Sequence, residues 1–167
     1  MNTKEIRKSY FALIVIHSAI TLGFALVFGT NHPFSSQYLT NDLYPLIISS
    51  MTFATVLYII GGYLFVVAKD NKSYLIKHAT VAALLFALVL SVLWFTARTL
   101  SMSGAHRNIW LLYVISNYPT AIIYNSIINL SDIHALELVL TVIPPALGFL
   151  VGIILRLINE PQWRKKT

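Results

Sequence analysis

The sequence predicts an all-α integral membrane protein: four transmembrane helices with an outer membrane-associated helical hairpin or re-entrant segment. Three observations predict it. Of the 167 residues, 57% are hydrophobic and 11% charged, whereas soluble domains carry about 25% charged residues. Four nearly charge-free apolar runs are each long enough to cross a bilayer, which takes about 20 residues of helix. The basic residues gather at alternate connections, as the positive-inside rule requires of a multi-pass chain. A soluble fold of this size has no means of hiding so much apolar surface, so residues 1–167 are read as a single membrane-embedded domain.

Residues 10–29 form the first span. They follow a basic start (Lys4, Arg7, Lys8), as a signal peptide would. The run is longer than a signal h-region of about 7–15 residues, and no small-x-small cleavage site follows, so it is read as uncleaved. His17 lies well inside, with Thr21 and Ala25 on the same helical face. An ionisable side chain at that depth faces other helices rather than lipid. It is either a neutral imidazole bonded inside the bundle or a proton relay or ligand.

The connection over 30–42 carries no lysine or arginine and many turn formers, which marks the outer side. Residues 43–68 form the second span. Ser49, Thr52, Thr55, Tyr58 and Gly62 recur at helical spacing on one face. Small and hydroxyl residues mark helix–helix contact in lipid, and this face is expected to pack on the first span, on the side of His17 and Thr21. A basic loop (Lys69, Lys72, Lys77) leads to the third span, residues 79–97, almost wholly Ala, Val, Leu and Phe. It is expected to be the most lipid-facing helix, with Trp94 and Phe95 in an outer aromatic belt.

Residues 109–130 are uncharged over twenty-two positions but are broken by Asn117, Tyr118 and Pro119. Exposed asparagines and a proline are costly in hydrocarbon. The last span is 135–157. Glu137 lies in its first turn, where the helix dipole favours a carboxylate. Pro144 and Pro145 remove two backbone donors and predict a kink. Gly148 and Gly152 make a GxxxG packing surface.

Charge counting chooses between topologies. Four spans put ten lysines and arginines on the inner side and two, Arg98 and Arg107, outside. The alternative, five transmembrane helices, divides them six and six. The four-span arrangement is therefore favoured, in a cell membrane, multi-pass, with both termini cytoplasmic. The net charge of +6 then reflects these flanks. No nucleic-acid motif accompanies it, and nucleic acid is not expected as a partner.

Little in the chain points to chemistry. Cysteine is absent, which removes disulfides, thiol catalysis and thiolate metal sites. Arg98, His106, Arg107, Asp132, His134 and Glu137 collect at the outer face. His134 and Glu137 share a helix face, and two histidines with carboxylates are metal-compatible. No HExxH or Cys/His spacing supports that reading. The blander account is that the carboxylates complement a helix N-terminus while the histidines and arginines sit at the wet interface. No catalytic residue, metal site or cofactor is assigned. The expected role is a non-catalytic accessory, regulatory or immunity-type partner of another membrane protein, in contact with lipid and with that partner or a second copy of itself. The alternatives are a small transporter or channel subunit, and a membrane enzyme acting on a lipid at the outer face.

Overall fold

The computed structural model describes residues 3–28, 43–65, 72–103, 107–117, 119 and 135–159. Among these the regular α-helices are α1 (Thr3–Phe28), α2 (Leu43–Phe65), α3 (Lys72–Met102), α4 (Arg107–Ser116) and α5 (Ala135–Asn159). Three stretches, Thr3–Leu26, Leu75–Met102 and Thr141–Asn159, are long and apolar enough to cross a membrane, and α2 carries the shorter apolar stretch Met51–Leu64. Helix α1 starts before the stretch predicted from sequence, α3 overruns it at both ends and α5 at its end, while α2 is described to Phe65 within the predicted 43–68. The 31 residues of α3 extend about 46 Å, against a hydrocarbon core of about 30 Å. Hydropathy marks where lipid ends, and a helix continues until its own backbone pairing is interrupted.

Contact registers give the helix directions. Ile16 meets Gly61, His17 meets Tyr58 and Phe24 meets Phe53, so α1 and α2 are antiparallel. Tyr10 and His17 both pack on Phe86, and Ala25 faces the same groove as Leu93, so α1 and α3 are parallel. Gly148 lies on Thr55 and Tyr58, Gly152 on Ile59, Gly62 and Tyr63, and Arg156 on Tyr63 and Leu64. Numbers rise together along both chains, so α2 and α5 are also parallel. The starts of α1 and α3 and the ends of α2 and α5 thus share one end of the bundle. Lys4, Arg7, Lys8 and Lys77 belong to that end, and Arg156 lies one turn inside it.

The α2–α5 seam is the tightest packing. A Cβ added at Gly152 would stand 2.2 Å from the Ile59 carbonyl oxygen, and one at Gly62 would stand 2.4 Å from that of Phe149. Only glycine lets the two backbones approach this closely, and its Cα–H then faces a carbonyl, a weak favourable contact. Arg156 closes the seam. Its Nη1 donates to the Tyr63 and Leu64 carbonyls, in the last described turn of α2, at 3.0 and 3.1 Å. Helix α5 runs unbroken through Pro144 and Pro145, both of them buried.

Two sequence expectations are corrected. The small-residue face of α2 packs mainly on α5: Thr55 and Gly62 touch α5, while Tyr58 reaches α1. Thr52 and Thr55 return their hydroxyls to their own helix, on Ile48 and Met51. Helix α3 is central rather than the most lipid-facing. It buries Ala79, Ala83, Phe86, Leu90, Trp94 and Ala97 along one face and packs on α1, α4 and α5. Trp94 is only 1% exposed; it meets Phe95 edge-on and lies beneath the Arg98 guanidinium, 5.6 Å from its ring centroid.

Candidate functional site

Helix α4 builds the site by stopping short. Its ten residues extend only about 15 Å. It starts at the end of α3, runs back along it until Ile115 faces the same groove as Leu93, and ends at Ser116 beside His17 and Thr21. Asn117 follows as a turn, with its N–H on the Tyr113 carbonyl at 3.1 Å. The Ser116 hydroxyl donates to that same carbonyl at 2.8 Å. A helix C-terminus is thereby brought to mid-height in the bundle, with its last carbonyls in need of donors.

His17 supplies one. Its Nε2 lies 3.0 Å from the Ser116 carbonyl oxygen and its Nδ1 lies 2.6 Å from the Tyr58 hydroxyl. A carbonyl only accepts, so Nε2 carries the proton and donates. In the neutral ring Nδ1 then accepts from Tyr58. The partners therefore assign the Nε2–H tautomer. Thr21 also points at the Ser116 carbonyl, at a long 3.5 Å, too far to contribute much. Phe86 packs edge-on against the imidazole, with ring centroids 5.2 Å apart. The result is a clasp joining α1, α2 and α4. Its two principal hydrogen bonds contribute about 1 kcal/mol each by soluble-protein precedent and about 0.6 by membrane precedent.

A second polar tie fixes α4 to α5. The Tyr113 hydroxyl donates to Thr141 Oγ1 at 3.4 Å in a buried setting. Beside the clasp, α1, α3 and α4 border an open groove of about 440 Å³ that runs from Tyr10 to Ala25 along α1. Its walls are mainly apolar, with His17, Ser18, Thr21 and Ser116 as polar interruptions.

Among the residues singled out from sequence, His17 and Thr21 meet at the Ser116 carbonyl. Gly148 and Gly152 lie in the α2–α5 seam, several residues along α5 from the buried Pro144 and Pro145. The outer-face set is only partly described. His106, Asp132 and His134 lie outside the described residues, as do most of 109–130 beyond α4. Arg107 opens α4 and Glu137 falls in the first turn of α5, while Arg98 stands over Trp94. Among the described residues no three histidines, aspartates or glutamates converge as a metal-binding group. The sequence reading missed Ser116 as the partner of His17, because the accepting group is a backbone carbonyl and every residue has one. It also missed the Tyr113–Thr141 tie.

No protein-family model, curated protein or solved structure matches the chain.

Proposed function

We propose that the chain crosses the cell membrane four times with both termini cytoplasmic, and that α4 is a re-entrant half-helix entering from the outer side. Parallel α2 and α5 support this. With α3 running between them, the chain must leave α3 and enter α5 at the same end of the bundle. One crossing between those points would turn α5 antiparallel to α2. The sequence count of ten inner basic residues against two outer ones gives the same orientation.

Within that frame the protein acts as a non-catalytic accessory or regulatory partner of another membrane protein. The observation that carries this reading is the state of His17. Both ring nitrogens are bonded within the chain, so the imidazole holds helices together rather than presenting a lone pair or proton to a substrate. The glycine surface of α5, which sequence offers as a docking face, is occupied by α2. A partner or second copy therefore meets the lipid-facing sides of the bundle. Mild-detergent purification from the native membrane should recover a second membrane protein in fixed ratio. Recovery of a lone monomer, with no cross-linked species in the membrane, contradicts the reading.

One observation favours a second reading, a small transporter or channel subunit. Broken helices whose C-terminal carbonyls end at mid-membrane are a recurrent way of holding cations in transporters, and α4 ends in this way at Ser116. That reading requires His17→Ala to abolish a measurable flux in reconstituted vesicles. The partner reading predicts no flux in either form.

A further inference from the structure

The groove beside the clasp has a length, an apolar lining and a charged mouth that together suit one kind of occupant. From Tyr10 to Ala25 along α1 it is about 22 Å long. It is open along one side, and its walls are mainly apolar. A single extended hydrocarbon chain matches this length and lining, with its carbons in contact with wall atoms about 4 Å away. The histidine and the helix-end carbonyl in its floor do not oppose it. His17 has both nitrogens bonded within the chain, and the Ser116 carbonyl receives the His17 N–H. A hydrocarbon laid over them leaves none of these groups without its partner.

Charge at the mouth selects the head group. Arg7 lies one turn before Tyr10 and two turns before Ile14, on the face of α1 that borders the groove. It is exposed, and among the described residues it has no ion pair, whereas the neighbouring Lys8 is taken by Glu5 at 2.7 Å. Lys4 belongs to the same end. A guanidinium there matches a phosphate, which it can grip with two parallel hydrogen bonds.

We propose that this groove binds one acyl chain of an anionic phospholipid from the leaflet at the basic end of the bundle, with the lipid phosphate on Arg7. The groove is longer than half of a hydrocarbon core of about 30 Å. A chain filling it lies extended along α1 and reaches past the midplane to the end of α4. The inference is independent of the partner reading, since it concerns a face that lipid surrounds whatever the protein assembles with.

The test is photolabelling of the full chain in phosphatidylcholine vesicles. A small fraction of either phosphatidylglycerol or phosphatidylcholine carries a diazirine at the chain terminus, and labelled residues are mapped by mass spectrometry. The groove residues of α1 between Ile14 and Ala25 should take about fivefold more label from the anionic probe than from the zwitterionic one, as one basic side chain near the surface provides. Arg7→Gln should bring the two probes to parity. Ser18→Trp, at an exposed position in the groove, should remove groove labelling by both while labelling at lipid-facing Leu88 persists. Equal labelling by the two probes in the unaltered chain overturns the proposal. So does an unchanged preference in Arg7→Gln, or groove labelling no greater than that at Leu88.

Discussion

Replacing Gly152 with alanine separates packing from helix propensity. The added methyl would lie 2.2 Å from the Ile59 carbonyl oxygen, 2.7 Å from the Tyr63 nitrogen and 3.0 Å from the Gly62 carbonyl carbon. All three are backbone atoms, so no side chain can rotate away. Ordinary carbon contacts begin near 3.5 Å, so α2 and α5 must separate by about 1 Å or more along the seam. Overpacking of this kind costs about 1–3 kcal/mol, and the upper end applies because the Cα–H contacts nearby stretch together. Gly23 is the control. Nothing lies within 4 Å of a Cβ built there, so Gly23→Ala meets no obstacle and gains about 1 kcal/mol of helix propensity. Both variants carry the same intrinsic gain, and their difference isolates the seam. Thermal unfolding of the detergent-solubilised protein, followed by intrinsic fluorescence and by loss of the monodisperse chromatographic peak, reads it. Gly152→Ala should melt well below the parent and Gly23→Ala at or above it. Equal melting of the two variants refutes the close α2–α5 approach.

Other outcomes follow from the same contacts. Tyr58→Phe removes the donor to His17 Nδ1 and leaves a part-buried acceptor unpaired, which costs about 1 kcal/mol. A double-mutant cycle with His17→Ala should then give a coupling of about 0.5–3 kcal/mol, whereas additive effects would mean that the two side chains do not act together. Arg156→Met preserves much of the aliphatic length but removes both hydrogen bonds to the last described turn of α2. The loss should lie at or below about 1.5 kcal/mol, the low end for charged donors, because these bonds lie at the surface of the bundle. Arg156→Lys should recover part of it, and no loss with methionine would show that the cap contributes nothing.

Sequence reading located the helices because hydrophobic length is a one-dimensional property. It also picked out Gly148 and Gly152, because glycine spacing marks close approach. It did less well on which helix meets which. In water, a buried face differs from an exposed one in polarity. In lipid both faces are apolar, and only size and shape distinguish them. Helix α3 demonstrates this: Leu84 and Leu88 face outward while Phe86 and Leu90 are buried, with no difference in residue class to tell them apart. Trp94 suited an interfacial belt by type, yet it is buried beneath Arg98. Tyr58 was on the correct face of α2 for His17, while Thr55 and Gly62 a turn away serve α5. The His17–Ser116 bond spans 99 positions and ends on a backbone oxygen, so residue identity carries no sign of it.

The topology fixes the orientation of the groove, the clasp and the charged end in the membrane. The chain contains no cysteine, so single cysteines can be placed at Thr3, Ser103 and Asn159 and probed with a membrane-impermeant maleimide. The four-crossing arrangement predicts that Ser103→Cys labels in intact cells, while Thr3→Cys and Asn159→Cys label only after the membrane is opened. Labelling of Asn159→Cys from the side opposite to Thr3→Cys would contradict it.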